Sequence, residues 1–311
     1  MHSERFHDYD AYTQAVERVD ARFMVRNIET PGWQLAGVAM PQGITVQHCW
    51  SGSGLIVNGS GPARGAVLAV PAGGRFIADG EALSGDDALL IGPDSEFLVS
   101  MPGRHRCFDL FIPEPLLQRV GLQGRRERPQ TGVIHTAARG KRSLATLLVR
   151  FMANATAIPE AASNPSALRS FERCLMNVIR DVYGAIPRQP GKTPGRQPTV
   201  DSKSIHRAID LIEAAPGASL SMAELAGELC IPERTLRASF RKHLGLAPTQ
   251  YMQLRLMHRA RQRLTTSDPG QLTVARVAAD LGVWDFGRFA TRYRQLFGEP
   301  PSATLRAGLA A

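Results

Sequence analysis

The chain has 311 residues, of which 43% are hydrophobic and 21% charged, with a formal net charge of +9. This is an ordinary soluble globular composition, long enough for two domains and a sizeable core. It holds no apolar run near the ~18 residues that span a bilayer. The start, "MHSERFHDYD", lacks the basic segment and apolar stretch of a secretory signal. The four cysteines (Cys49, Cys107, Cys174, Cys230) have no CxxC spacing. That argues against a zinc ribbon or disulfide scaffold and fits a reducing cytoplasm, the expected location. The positive charge allows a polyanionic partner without requiring one.

From about residue 20 to 113, short apolar runs alternate with Gly, Pro and Asp. "GAVLAVPAGG", "GDDALLIGPDSEFLVSM" and "CFDLFIP" read as strands at close spacing, which predicts an antiparallel sandwich or barrel. From about 114 to 186 the period becomes helical. Leu144, Leu147, Leu148 and Phe151, then Phe171, Leu175, Val178 and Val182, recur at three- and four-residue steps. "PRQPGKTPGRQP", Pro187 to Pro198, carries four prolines and two glycines and reads as a linker. The expected division is therefore 1–186, a linker over 187–200, and a helical domain over 201–311.

The last segment contains one design twice. "SLSMAELAGELC" places Met222, Leu225, Ala226 and Leu229 at i, i+3, i+4 and i+7, with Ser221 and Glu224 spaced as a capping box. A turn at Cys230-Ile231 leads to a helix opened by Pro232, with Leu236 and Phe240 inward and Arg234, Arg237, Arg241 and Lys242 outward. Val274, Val277, Ala278 and Leu281 repeat the spacing 52 residues later. Gly282 makes the second turn, and the next helix buries Phe289 and Tyr293 and exposes Arg288, Thr291, Arg292 and Arg294. Between them, "PTQYMQLRLMHRARQRL" stacks Met252, Leu256, Ala260 and Leu264. Its length of roughly 25 Å suits two helices reading successive major grooves about 34 Å apart. The expected bounds are about 221–243 and 274–297 for the two helix-turn-helix units and 247–265 for the helix joining them.

A single tight helical corner is weak evidence for DNA binding; the duplication is much stronger. Arg234 to Arg263 holds eight Arg or Lys, and the one neighbouring acid is Glu233. A solvated basic face would explain this, but phosphate neutralisation explains the bias better. Arg234, Arg237 and Arg288 fall where a reading helix meets base edges, and Arg pairs bidentately with guanine; each could equally contact phosphate.

The C-terminal hundred or so residues resemble the AraC/XylS family of bacterial transcription regulators. "VARVAADLGVWDFGRFATRYRQLFGEPPSATLR" is most similar to the branch that includes XylS, EutR and the anthranilate-dioxygenase regulators. Gly282, Gly287, Arg288, Phe289, Ala290, Tyr293, Arg294, Phe297, Gly298, Glu299, Pro301, Ser302 and Leu305 stand in matching places. Val283 replaces the usual Phe and Asp285 a frequent His; Cys230 replaces the usual Gly and Pro232 the usual Ser. The resemblance and the exposed positions together give the expected DNA-contacting set: Arg234, Thr235, Arg237, Arg241, Asp285, Arg288, Thr291 and Arg292. Asp285 would accept from cytosine or repel phosphate.

More faintly, "SGDDALLIGPDSEFLVS" and "CFDLFIPEPLLQR" resemble the end of the family's regulatory β-domain. This implies an α+β chain: a cupin-like barrel or sandwich that binds an effector, dimerising helices, then an all-α domain. Trp33, His48, Trp50, Arg75 and Phe76 are candidate effector contacts, although ordinary core or surface roles fit each of them better alone. A metal-binding cupin needs paired histidines; His48 has none at i+2 and His105 is near only Cys107, so no metal or other cofactor is expected. "SGSGL" has no triad partners, and "GSGPARG" is followed by no helix; both glycine runs read as hairpin turns, and no catalytic set is found.

The reading is an effector-responsive regulator of promoter DNA, not an enzyme. The resemblance implies activation of a catabolic operon, often for aromatic acids. Its expected partners are double-stranded DNA, a small-molecule effector, RNA polymerase and a second copy of itself, with no membrane. The rivals are an effector-independent regulator with a filled β-domain, and a cupin-type enzyme fused to a DNA-binding domain.

Overall fold

The computed structural model describes residues 2–16, 19–83, 87–120, 131–134, 144–158, 160, 163–183, 202–217, 220–266 and 272–307. The chain forms two compact units. One comprises Met1–Phe23 and Glu29–Lys192, the other Met24–Ile28 and Thr193–Ala311. The expected linker at Pro187 to Pro198 lies outside the described residues.

The first unit is built on a ten-stranded antiparallel sheet. Its strands are β1 (His2–Phe6), β2 (Asp20–Ala39), β3 (Thr45–Ser60), β4 (Ala66–Gly73), β5 (Phe76–Ala78), β6 (Glu81–Leu83), β7 (Ala88–Ile91), β8 (Glu96–Met101), β9 (His105–Ile112) and β10 (Gly132–Ile134). They run in the order β10-β7-β4-β9-β3-β8-β5-β6, and β2 pairs with β1 and β3. The helices of this unit are α1 (Tyr9–Ala15), α2 (Glu114–Leu117), α3 (Leu144–Ala157) and α4 (Pro165–Tyr183).

Strand alternation divides the central sheet into two different surfaces. Val46, Leu68, Val70, Leu90, Phe108, Leu110 and Ile112 share a core with Leu144, Leu148 and Met152 of α3 and Leu175, Val178 and Ile179 of α4. The helices meet through Phe151 and Phe171, stacked with ring centroids 3.7 Å apart. Glu172 is fully buried on α4. Its carboxylate accepts from the Gln42 backbone N–H at 3.0 and 3.3 Å and from Gln42 Nε2 at 3.2 Å, which satisfies a group that is costly to bury alone. The other surface, formed by the intervening residues, faces a cavity.

Three expectations for this unit change. β1 and α1 precede residue 20, where no element was expected. β10 interrupts the stretch read as wholly helical. The glycines of "SGSGL" and Gly59 lie inside β3 rather than in hairpin turns. Close approach of β2 is the reason: a Cβ on Gly52 would stand 1.9 Å from the Thr30 carbonyl oxygen, and one on Gly59 2.1 Å from that of Asp20.

The second unit contains α5 (Ser202–Ala214), α6 (Met222–Glu228), α7 (Glu233–Leu244), α8 (Pro248–Thr265), α9 (Val274–Asp280), α10 (Phe286–Phe297) and α11 (Pro301–Ala307). The predicted capping box opens α6: Ser221 Oγ accepts from the Glu224 N–H at 3.2 Å, and Glu224 Oε2 from the Ser221 N–H at 2.7 Å. The turns after α6 and α9 are copies. Cys230 N–H donates to Gly227 O (3.0 Å) and Ile231 N–H to Ala226 O (3.0 Å). Fifty-two residues on, Gly282 N–H donates to Ala279 O (2.9 Å) and Val283 N–H to Ala278 O (2.9 Å). Each pair closes a Schellman motif, which needs a left-handed residue. Gly282 meets that with φ 77°; Cys230, a non-glycine residue in the same place, does so at φ 53°. Pro232 stands one place earlier than expected, as the N-cap of α7.

The helix α8 buries Tyr251, Met257, Ala260, Arg261 and Leu264; Met252 and Leu256 of the predicted stripe are only half-buried. Its C-terminal half is fixed by a polar network. Arg261 Nη1 donates to Glu299 Oε1 at 2.9 Å, the Tyr293 hydroxyl to Thr304 Oγ1 at 2.9 Å, and the Thr304 hydroxyl to Glu299 Oε1 at 2.7 Å. The Arg261 guanidinium lies 4.9 Å from the Phe297 ring centroid.

His258, edge-on to Phe297 at 5.1 Å, is pushed down to about 4, chiefly by burial. Below pH ~6.5 the unfolded chain takes up a proton that the folded chain refuses until pH ~4. Stability should therefore fall as pH drops through that window, by at most about 3 kcal/mol from this group. Urea unfolding across the window should show a flatter profile for His258→Gln. An unchanged slope would mean His258 titrates normally.

Candidate nucleic-acid interface and ligand cavity

Helical periodicity places the expected DNA-contacting residues. On α7, Arg234, Arg237 and Arg241 are exposed, opposite buried Leu236, Ser239 and Phe240, while Thr235 is half-buried. On α10, Arg288, Thr291 and Arg292 are exposed, opposite buried Phe289, Tyr293 and Leu296. Two of these side chains donate hydrogen bonds within the chain, and Arg288 has an ion-pair partner. Arg237 Nη2 donates to Glu233 Oε2 at 2.7 Å, and the Thr291 hydroxyl to Gly287 O at 3.0 Å. Asp285 is the N-cap of α10: its Oδ1 accepts from the Arg288 N–H at 2.9 Å, and its Oδ2 lies 3.6 Å from Arg288 Nε. It therefore starts the helix and orients Arg288.

The basic run is less uniform than its sequence suggests. Arg255 pairs with Glu213 at 2.5 Å, with both side chains nearly buried. Arg259 donates to the Ala215 and Glu213 carbonyls, capping the end of α5, and Arg261 belongs to the Glu299 network. These three arginines hold the domain together. Arg234, Arg237 and Arg241 remain as the exposed α7 charge, with Lys242 half-buried beside them. Sequence reasoning missed Trp284, 80% exposed, and Phe286, 42% exposed, which flank Asp285 at the start of α10.

The cavity of the first unit has a volume of about 510 Å³. Its floor is the alternate face of three neighbouring strands: Gln47 and Cys49 of β3, Cys107 and Asp109 of β9, and Val67 and Ala69 of β4. The remaining lining is largely aliphatic and aromatic, with Tyr12 and His105 among the polar groups. Asp109 is pushed up to about 6 by burial, against the hydrogen bond it accepts from Cys49 Sγ at 3.4 Å. Hydrogen bonding with Cys107, then burial, raises the Cys49 thiol well above its ordinary value. Burial pushes His105 down to about 4, so it is neutral near pH 7. Among the described residues lining the cavity there is no Lys or Arg.

Of the candidate effector contacts, Phe76 lines this cavity and the other four do not. His48 and Trp50 have the opposite strand parity to Gln47 and Cys49, and His48 stacks on Phe108 at 4.7 Å. Trp33 stacks on Tyr12 at 6.2 Å, leaving Tyr12 as the residue on the cavity, and Arg75 is exposed.

Two helix-turn-helix units with matched turns, joined by one continuous helix, define a DNA-binding protein. A helix-turn-helix domain family matches residues 225–307. The "XylDLEGF operon transcriptional activator 1" of Pseudomonas putida is 24% identical over 220 residues, covering 71% of this chain and 65% of that relative. The chain thus spans just under two thirds of that relative's length. The "Probable thc operon regulatory protein" of Rhodococcus erythropolis is 33% identical over 102 residues, 33% of this chain and 31% of that one. A probable AraC family transcriptional regulator of Rhodopseudomonas palustris CGA009, of known structure, is 27% identical with a TM-score of 0.31, covering 34% of this chain and 97% of that one. The C-terminal part of the chain thus carries a helix-turn-helix domain of known type, and the chain is similar to AraC/XylS transcriptional regulators. Among the described residues, no helix is long and apolar enough to cross a membrane.

Proposed function

We propose that the protein is a cytoplasmic, effector-responsive activator of a catabolic operon, working as a homodimer with RNA polymerase. The observation that carries the effector reading is the cavity of about 510 Å³, within the range of small-molecule sites. It favours this reading over an effector-independent regulator, whose β-domain would be filled. Arg234, Arg237 and Arg288 read base edges, Arg241 and Arg292 neutralise phosphate, and Trp284 offers an apolar face to thymine methyl groups. The helices α3 and α4 serve the dimer.

The cavity also narrows the effector. A carboxylate would face Asp109 with no Lys or Arg among the described lining residues to compensate it, so an aromatic acid is disfavoured. A neutral, mainly apolar compound with a hydrogen-bond donor for Asp109 or Gln47 fits better. Thermal-shift screening of the full chain should find neutral aromatic alcohols or amides that raise the melting temperature and induce a reporter. Matched carboxylates should do neither. Induction by carboxylates alone would overturn this assignment, and full activity without any added compound in a metabolically blank host would favour the effector-independent rival.

A further inference from the structure

We propose that the polar pole of the cavity is a metal site, in which Cys49, Cys107 and Asp109 bind a thiophilic divalent cation of the zinc type with a coordination position left toward the cavity. The sheet register creates the site. Cys49 and Cys107 are direct cross-strand partners on β3 and β9, and Asp109 follows two residues after Cys107 on the same face. The neighbouring strand β4 places Ala69 beside Asp109 and Pro71 beside Cys107, small or rigid residues that leave the donors uncovered.

The donor atoms all lie within 4.8 Å of one another, with Cys49 Sγ 3.4 Å and Cys107 Sγ 4.0 Å from Asp109 Oδ2. A tetrahedral zinc ion bonded at about 2.3 Å to sulfur and 2.0–2.2 Å to oxygen separates its donors by roughly 3.5–3.8 Å. The cluster needs only small side-chain shifts to reach that spacing. Two sulfur donors with one oxygen favour zinc-like ions over magnesium or calcium, which take oxygen. Three protein ligands with one open position is the arrangement of a site that binds a further ligand. Tyr12 lines the same cavity. The expectation of no metal rested on missing histidine pairs and did not consider thiols from separate strands.

The site shares the cavity with the proposed effector but does not rest on that role, because metal binding is read without DNA or a reporter; the preference for neutral effectors applies to the metal-free cavity, since a bound cation would occupy Asp109 and compensate a carboxylate. The test uses the whole chain carrying Cys174→Ser and Cys230→Ser, since both are exposed free thiols whose own thiolate absorption with Co²⁺ would confuse the readout. Reduced, chelator-stripped protein is titrated with Co²⁺ and then Zn²⁺. We expect one equivalent of Co²⁺ with thiolate charge-transfer absorption and the visible bands of tetrahedral cobalt, all lost on adding Zn²⁺. Adding Cys107→Ala should weaken the charge-transfer band, and Cys49→Ala together with Cys107→Ala should abolish it. Asp109→Asn should keep the band but weaken binding by more than the ~10–100-fold typical of losing an outer-shell partner. Should those variants fail to fold by circular dichroism, the parent alone decides: excess Zn²⁺ must raise its melting temperature. Absence of both the charge-transfer band and that rise overturns the proposal. So does a band that persists without Cys49 and Cys107, or a Cys49–Cys107 disulfide in protein freshly isolated from the cytoplasm.

Discussion

Replacing Arg261 by Ala should cost about 2–3 kcal/mol of stability and leave little mark on the salt dependence of DNA binding, whereas Arg288→Ala should do the reverse. The two arginines have similar sequence surroundings but different neighbours. The Arg261 side chain is 8% exposed, donates to Glu299, and lies over Phe297. Its loss leaves Glu299 without its cation and opens the contact joining α8 to α11. Because Glu299 is about a third exposed, water recovers part of the cost. The Arg288 side chain is 71% exposed, and its listless pairing with Asp285 across 3.6 Å contributes little to folding. Arg288→Ala should therefore leave the urea midpoint unchanged. If Arg288 contacts a base, it should cost about 1–3 kcal/mol of operator affinity and relax preference at one position. Urea unfolding and anisotropy titrations on operator and scrambled DNA separate these effects. Equal stability losses in the two variants would remove the division between structural and DNA-facing arginines.

The duplicated helix-turn-helix was legible because its evidence is local. Helical spacing, an N-cap residue and a turn residue are all written within a dozen positions, from Ser221 to Cys230 in the first unit and from Thr273 to Gly282 in the second; only the first adds a capping box. What the sequence hid was partnership across distance. Nothing near Arg255, Arg259 or Arg261 announces that Glu213, the end of α5 and Glu299 engage them, so all three count in the basic run whose bias is ascribed to phosphate neutralisation. The cavity was hidden for the same reason. Alternation shows that Cys107, Asp109 and Phe111 share a face, but only the β3–β9 register brings Cys49 opposite Cys107. It also turns His48 and Trp50, chosen for their chemistry, to the opposite face. The glycines of β3 misled because glycine marks both turns and close strand crossings, and only Thr30 and Asp20 on β2 distinguish the two. Asp285 was expected to accept from cytosine or repel phosphate; its position before α10 also makes it the cap of that helix, which its side chain alone did not announce.

Leu256→Pro should be the most damaging substitution for operator recognition among exposed or half-buried positions of α8. The helix runs 18 residues from Pro248 to Thr265, about 27 Å, and joins the two helix-turn-helix units. Proline at 256 removes the N–H that bonds the Met252 carbonyl and drives its ring against that turn, at a cost of about 3 kcal/mol or more. The ends of α8 are anchored separately, by Tyr251 against Phe240 at 5.8 Å and by Arg261 with Glu299. A kink between them should leave each unit folded but change the spacing of α7 and α10. Two readers need a fixed separation to meet successive major grooves about 34 Å apart. Specific affinity should then fall well beyond the loss of one base contact, while binding to random DNA, set by phosphate charge, falls less. Leu256→Ala removes the same side chain without the kink and should retain most operator affinity. Footprinting should show two protected major-groove segments per protomer for the parent and Leu256→Ala, and one for Leu256→Pro. If Leu256→Pro stays helical by circular dichroism and still protects both segments, the joining helix does not set the spacing, and α10 would have to find its groove through its own contacts.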